Sequence, residues 1–322
     1  MKILIFGGAG FLGANLTRRC LLEPDSKITV VDSLDPLFQS STNSLQEIWN
    51  KIDFIRGDIR DESLLSQVVR GQDVIFNCAA QSSHTISLQN PVLDSEINCL
   101  GNLKLLEAIA RYNEKVRFVY PSSSTVIGRS NEDIADEDHP QNPLEIYSAN
   151  KGLAEKHCQI FYSQHGIKST VLRFANLYGA FGKSSPEFGF INHFIHLAQN
   201  NQTIKVFGAG DQIRNVMHVE DAAEILWRAA QFSELDGKIL FSTSPYHLSV
   251  REIAETIVRV WGRGDIQHIK WPQDRQQIEV GDARFSSEKL RALTGWQARY
   301  DFVSGLERTK TTLEHLAEEV KA

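Results

Sequence analysis

The sequence predicts a doubly wound, parallel α/β sheet followed by a smaller α/β lobe. Short apolar runs recur at Lys2–Phe6, Ile28–Val31, Asp53–Ile55, Val74–Phe76, Arg117–Tyr120 and Thr170–Phe174, each followed by a helix-like or loop segment, the alternation of parallel strands with crossover helices. Several runs are apolar on consecutive residues, as in strands covered by helices on both faces. After Tyr178–Gly179 the texture changes to a loop containing Gly, Ser and Pro (182–189), then a helix-like stretch from Asn192 and a short apolar run at Ile204–Phe207. Helical stretches follow around Ala222–Ala230, Val250–Trp261 and Ser286–Leu293, and the chain ends on a charged amphipathic helix from Leu306. These observations divide the chain into residues 1–180, the main sheet domain, and residues 181–322, mainly the smaller lobe and C-terminal helices, with later segments expected to return to the main sheet.

With 322 residues, 42% of them apolar and 23% charged, the chain has globular composition. A net charge of -6 without clustered Lys or Arg gives no reason to expect a nucleic-acid or anionic-membrane partner. Cys20, Cys78, Cys99 and Cys158 lie far apart without metal-site spacing, so reduced thiols and no metal are expected. The opening run Ile3–Phe6 is too short for a secretory or membrane segment, and a cytoplasmic location is expected.

The first run leads into Gly7-Gly8-Ala9-Gly10-Phe11-Leu12-Gly13 and then a helix-like stretch. Glycines between a strand and a helix permit a tight turn and close backbone approach to a pyrophosphate at the helix N-terminus, in the Rossmann manner. The second run ends on Asp32, where a carboxylate can accept hydrogen bonds from both adenosine ribose hydroxyls. A plain turn followed by a surface aspartate is the alternative, but strand, loop, helix and acid coincide. Asp32 and Asp35 repel a 2′-phosphate and no Arg lies nearby, so NAD is favoured over NADP.

Tyr147-Ser148-Ala149-Asn150-Lys151 sets a phenol and an ammonium four residues apart, on one face of a helix. A phenol with a pKa near 10 is a poor base, but a nearby ammonium and a positive nicotinamide ring favour the phenolate. Tyr147 is therefore expected to exchange a proton with a substrate hydroxyl, and Lys151 to hold the nicotinamide ribose. Alone, this spacing also fits a surface helix pair; the upstream dinucleotide pattern favours the catalytic reading.

The spacing Gly7, Gly10, Gly13 and several later motifs resemble the extended short-chain dehydrogenase/reductase family, in its branch of NAD-dependent sugar-nucleotide epimerases and dehydratases that includes the UDP-glucose 4-epimerases. The resemblance runs from residue 1 to about Trp296 and implies that Phe11 and Leu12 also lie beside the cofactor. Gly57-Asp58-Ile59-Arg60 resembles the family's adenine-contacting step, implicating Asp58 and Ile59. Asn77-Cys78-Ala79-Ala80 resembles its step beside the cofactor, implicating Ala79 and Ala80. Pro121–Gly128 resembles the family's S-S-S-x-V-Y-G segment, with Ile127 in place of Tyr, and implies that Ser123 hydrogen-bonds the reacting sugar oxygen. Asn98 matches an asparagine of the N-x-x-G-T helix start, with Asn102 replacing Thr, and is carried over as a cofactor contact.

On the substrate side, Leu172–Gly179 resembles L-R-x-x-N-x-Y-G, whose asparagine, here Asn176, binds the substrate diphosphate; Ala180-Phe181 replaces the usual Pro-Arg. Gly208–Arg214 followed by Val219-Glu220-Asp221 resembles the segment in which an arginine, here Arg214, grips the same diphosphate. Arg275 and Arg284 are open candidates for a further phosphate contact.

Among the family's reactions, dehydratases carry acidic residues directly after the catalytic hydroxyl, and decarboxylases resemble a Ser/Thr followed by Glu there; this chain has Ser124 and Thr125. A C3/C5-epimerising reductase would want a Cys and His pair, and His84 has no matched Cys. Simple 4-epimerisation of a nucleotide-diphosphate sugar by hydride removal and return needs only the residues found. A 2-epimerase, a 4-ketoreductase or a non-catalytic NAD-binding regulatory protein are the alternatives. The helix-like stretches Gly101–Tyr112 and Ser148–Tyr162 correspond to those that pair in family dimers, which implies a homodimer.

Overall fold

The computed structural model describes residues 1–130, 132–273, 276 and 279–319. Strands β1 (Lys2–Phe6), β2 (Lys27–Asp32), β3 (Asp53–Arg56), β4 (Val74–Asn77), β5 (Arg117–Ser123), β6 (Lys168–Phe174) and β10 (Ile239–Ser242) form one seven-stranded sheet in the order β10-β6-β5-β4-β1-β2-β3. Every neighbouring pair is parallel. Strand order reverses between β1 and β4, so the loops leaving these two strands diverge and open a crevice above their carboxyl ends.

Alternation along β1 feeds two cores on opposite faces. Ile3 and Ile5 pack with the helices Phe11–Cys20 and Val219–Ala229, while Leu4 and Phe6 pack with the helices Asn102–Tyr112 and Ile146–His165. All of β4 and all but the first residues of β1 and β6 are buried, which is why these strands read as continuous apolar runs.

The smaller lobe is built on β7 (Asn176–Tyr178), β9 (Ile213–His218) and β11 (His247–Ser249), with the parallel pair β8 (Thr203–Phe207) and β12 (Asp265–Ile269) beside them. Helices Phe190–Gln199, Val250–Trp261 and Phe302–Glu319 surround a third core that includes Ile191, Phe194, Val206, Ile257, Trp261 and Leu306. Helix Val250–Trp261 starts on a capping box, Ser249 with Glu252, and ends at Gly262 in the left-handed region. Among the described residues no helix is long and apolar enough to cross a membrane.

Two segments depart from simple helix expectations. Residues Thr42–Lys51 form a 3₁₀ run, and Ser95–Gly101 form a π-helical stretch leading into helix Asn102–Tyr112. Arg275 lies outside the described residues.

Between the main sheet and helix Ile146–His165 lies a buried ion pair. Arg173 of β6 donates through Nε to Glu155 Oε1 at 2.9 Å and through Nη2 to Oε2 at 2.8 Å, with side-chain exposures of only 4% and 0%. Ser122 and Gln141 each donate to the same carboxylate at 2.6 Å. Removing one partner strands a buried charge. Arg173→Ala is therefore expected to destabilise the fold by roughly 3 to 5 kcal/mol, read as a lowered urea midpoint; a loss below about 1 kcal/mol would show that the pair is not holding helix to sheet.

Candidate active site

The crevice above β1 and β4 is a cavity of about 370 Å³, walled by the strand ends of the main sheet on one side and by the loop 183–190 and Arg214 on the other. At one end, Gly7 turns with φ +70° and donates to Val31 O at 2.8 Å, and Gly10 donates to Gly7 O at 3.1 Å before helix Phe11–Cys20 begins. A Cβ on Gly7 would lie 2.5 Å from the Ala79 nitrogen, and one on Gly13 would lie 2.2 Å from Gly7 O. Only glycine lets these backbones meet. Phe11, Leu12, Ala79 and Ala80 complete this stretch of wall.

Asp32, buried at the end of β2, accepts the Ala9 N–H at 3.0 Å and the Leu34 N–H at 2.9 Å. Burial pushes its carboxyl above the usual range, against those hydrogen bonds and the Lys183 ammonium. Lys183, on the facing loop, lies 4.1 Å over the Phe188 ring, and burial lowers its pKa to about 8. Asp58 and Ile59 also line this end. Both Asp58 oxygens are engaged by Arg60, at 3.0 and 2.7 Å, and these bonds outweigh burial and hold the carboxyl below its ordinary value.

The other end carries the reactive side chains. Ser123 closes β5, and Tyr147 and Lys151 sit in the first two turns of helix Ile146–His165; all three face the cavity. The helix is capped by Glu145, whose carboxylate accepts the Tyr147 N–H at 2.9 Å and the Ser148 N–H at 3.0 Å. Ser123 Oγ lies 2.8 Å from Thr125 Oγ1 and shares the cavity wall with Tyr147. Lys151 donates to Pro121 O at 2.7 Å and lies 4.1 Å over the Tyr120 ring.

The chain's own charges and burial work against the phenolate. Burial first, then the charges of Glu145 and Asp94, push the Tyr147 phenol above its ordinary value, against the opposing pull of the Ser123 hydroxyl. The chain's own groups thus favour the neutral phenol, and the ammonium expected to favour the phenolate is itself disfavoured. Burial lowers Lys151 to about 8, only partly offset by Glu155 one turn along.

Asn98, carried over as a cofactor contact, is not on the cavity wall. It is buried and does not reach the cavity; its amide donates to Gln81 O at 2.8 Å, and Ile97 takes the wall position instead. A π-helical stretch is wound differently from an α-helix, so the phase extrapolated from an ordinary helix start does not hold. Asn98 thereby steadies the Gln81–Ser83 loop, which Gln81 also ties to Asp94 at 2.7 Å.

At the lobe side, Asn176 lines the cavity and donates to Asn215 O at 3.0 Å. Arg214 also lines it, but its guanidinium is already committed to Glu279 at 2.5 Å and to Gly281 O at 2.6 Å. Arg284 pairs with Asp282 at 3.1 Å and is not on the wall.

Sequence reasoning did not single out Glu145, Ser148 or Lys183, weighed Thr125 only as a missing acid, and left His84 without a role. His84 lines the cavity, pairs through Nδ1 with Glu145 Oε1 at 3.0 Å, and meets the Tyr147 ring edge to face at 5.0 Å between centroids.

Residues 3–240 match the model of the NAD dependent epimerase/dehydratase family. A protein of Methanocaldococcus jannaschii, provisionally named UDP-glucose 4-epimerase, is 31% identical over 309 residues, covering 95% of this chain and 96% of that one. A dTDP-glucose 4,6-dehydratase of Streptomyces niveus is 32% identical over 324 residues, covering 96% and 91%. In structure, the Thermus thermophilus UDP-glucose 4-epimerase, solved with NAD, aligns with a TM-score of 0.86 at 25% identity over 98% of this chain and 99% of that one.

The Lys151 environment makes a pH prediction. Its pKa is about 8 folded against an ordinary 10.5, so between these values the unfolded chain binds a proton that the folded chain does not. Stability from this group therefore rises with pH in that window and falls as pH drops through it. Measured against Lys151→Met by urea denaturation, the wild type is expected to gain on the order of 3 kcal/mol between pH 8 and pH 10.5. A difference that does not change with pH would contradict the buried ammonium.

Proposed function

The chain belongs to the NAD dependent epimerase/dehydratase family, and from that premise we propose that it is a nucleotide-sugar 4-epimerase. The observation that carries this choice within the family is the composition of the cavity wall. Among the described residues its carboxylates are Asp32, Asp35, Asp58 and Glu187, whereas the wall around Tyr147 offers hydroxyls, an imidazole and an ammonium. Expelling water from a sugar calls for a carboxyl acid/base beside the reacting carbon; reversible oxidation of one carbinol does not.

The residues present fit NAD. Gly7 and Gly13 leave no side chain between backbone and pyrophosphate, and Asp32 presents a buried carboxylate that suits ribose hydroxyls and opposes a 2′-phosphate. The chemistry this cofactor supplies when bound is reversible hydride acceptance, and its positive charge favours the phenolate that the chain's own groups disfavour. Tyr147 then takes the proton of the 4-hydroxyl as the carbinol becomes a carbonyl, and returns it on the reverse step. Ser123, on the same wall, holds the same sugar oxygen in line. Lys151, fixed to Pro121 O, keeps its ammonium one helical turn from the phenol and would hold the ribose of the bound cofactor. Asn176 and Arg214 hold the diphosphate, and Arg214 does so only by sharing or releasing Glu279. With the diphosphate anchored there, the sugar turns over within the cavity and presents its other face.

The test is incubation with UDP-, dTDP-, CDP- and GDP-sugars without added cofactor, read by proton NMR at C2 and C4. Inversion at C4 is expected, with Tyr147→Phe slower by about 10²- to 10⁴-fold. Inversion at C2, change only with added NADH, or loss of water would each replace this assignment; no change with NAD still bound would favour a non-catalytic protein.

A homodimer is part of this proposal. Leu153, Ile160 and Tyr162 on helix Ile146–His165, and Tyr112 ending helix Asn102–Tyr112, are apolar or aromatic and exposed, a pairing surface in search of a partner. Light scattering is expected to give twice the monomer mass, and Ile160→Glu to halve it; a monomeric wild type would remove the dimer.

A further inference from the structure

Arg214 reaches the cavity wall from β9, and the segment from Glu279 to Phe285 lies along that strand as a strap, with Val280, Ala283 and Phe285 on the same wall. The backbone of the strap is fixed at several points. The Ala283 N–H donates to Ile213 O at 3.0 Å, and the Ile213 N–H donates to Asp282 Oδ1 at 2.9 Å. Arg129 Nε donates to Glu279 O at 3.0 Å, and the Ala135 N–H to Arg284 O at 3.0 Å.

The Arg214 guanidinium is divided between two kinds of partner. Nη1 donates to two backbone carbonyls, Ile213 O at 2.9 Å and Gly281 O at 2.6 Å, and these fix the plane of the group. Nη2 donates to Glu279 Oε1 at 2.5 Å, an oxygen that also accepts the Gly281 N–H at 3.0 Å. Nε makes no hydrogen bond among the described residues. A phosphate takes an arginine as a fork, through two parallel N–H bonds. With Nη1 committed to carbonyls of β9 and the strap, the edge left for that fork is Nε with Nη2, and Glu279 stands on half of it. The pair is shielded, with side-chain exposures of 12% for Arg214 and 23% for Glu279, so its attraction is only partly screened by water. The carboxylate adds nothing to the placement of Arg214 that the two carbonyls do not already provide.

We propose that Glu279 is an internal competitor for the substrate diphosphate: its carboxylate occupies Nη2 of Arg214 in the empty site, and the diphosphate displaces it in order to be held. The inference rests on Arg214 binding the diphosphate. Displacement needs only rotation of the Glu279 side chain, because its carbonyl stays with Arg129 and the strap stays on β9. One charge-assisted bond replaces another: the bond from Nη2 to the carboxylate breaks, a bond from Nη2 to a phosphate oxygen forms, and the carboxylate passes to water. On release of product the carboxylate returns to Nη2. Glu279 thus sets the affinity of the seat below that of an unopposed guanidinium. Because the diphosphate is remote from the reacting carbon, that weakening falls on ground state and transition state alike and is carried by KM.

Glu279→Gln keeps the shape of the side chain and an oxygen for the Gly281 N–H while removing the charge. Isothermal titration of the NAD-loaded protein with UDP, dTDP, CDP and GDP reads the seat without turnover. For a nucleoside diphosphate that binds, Kd for Glu279→Gln is expected to be about 10-fold or more below that of the wild type, and KM of the matching sugar nucleotide to fall with it. The corresponding nucleoside, which has no phosphate, should bind both proteins alike. In an Arg214→Met background Glu279→Gln should change nothing, because the competition runs through the guanidinium. Equal or weaker diphosphate binding by Glu279→Gln overturns the competitor, since Glu279 is then a bystander or a positioning group for Arg214. An undiminished gain in the Arg214→Met background overturns it as well, since loss of a nearby negative charge then suffices. A crystal structure of the wild type with NAD and the bound nucleoside diphosphate reads the same point: a phosphate oxygen is expected on Nη2 with the Glu279 carboxylate away from it, and Nη2 still paired with Glu279 overturns the proposal. If no nucleoside diphosphate binds either protein, the nucleotide-sugar assignment falls and the competitor with it; if they bind without a gain in Glu279→Gln, the competitor alone falls.

Discussion

The whole site depends on two backbones touching. Gly7 leaves β1 in the left-handed region and passes so near Ala79, just after β4, that a single Cβ would lie inside van der Waals contact. Because β1 and β4 are the neighbours between which strand order reverses, that contact sits where the sheet opens. It sets the depth of the crevice and aims the start of helix Phe11–Cys20 into it. Asp32, next to the Val31 whose carbonyl accepts the Gly7 N–H, then fixes the far limit by holding Ala9 and Leu34.

The reactive end is organised by two carboxylates on either side of the Tyr147–Lys151 pair. Glu145 caps the helix before Tyr147, and Glu155, one turn past Lys151, is locked to Arg173 of the sheet. Glu155, which also accepts from Ser122 of β5, clamps the helix against β5 and β6, so the two functional groups inherit the rigidity of the main sheet. The two carboxylates also act electrostatically in opposite ways: Glu145 opposes the phenolate, while Glu155 supports the ammonium. Burial works against charge on both groups, raising the phenol and lowering the ammonium.

Much of the fold was legible because its signals are local. Strands buried on both faces must be apolar on successive residues, and a strand that runs into Gly7, Gly10 and Gly13 and is followed by Asp32 has few other uses. Ser123, Tyr147 and Lys151 could be named from spacing within short segments, and the structure brings them to one wall. What escaped was non-local or out of phase. Glu145 is an uncommon cap residue, since Ser, Thr, Asp and Asn dominate that position, so nothing marked it. Its partner His84 lies far away in sequence and meets it only after folding. Asn98 sat in a matching motif, but the π-helical winding of Ser95–Gly101 turned it behind the wall.

Wall composition constrains the chemistry more than the fold does, because the same sheet serves epimerases and dehydratases alike. Where a dehydrating site would need a carboxyl group beside the reacting carbons, Glu145 of this chain caps a helix and receives hydroxyls. A carboxylate so engaged is held in its charged form by its donors, His84 foremost among them, and is a poor acid for expelling a hydroxyl. Its negative charge is also felt at Tyr147. The same placement that removes an acid from the reaction thus raises the threshold for forming the base, and leaves proton exchange at a single hydroxyl as the chemistry that the described side chains suit best.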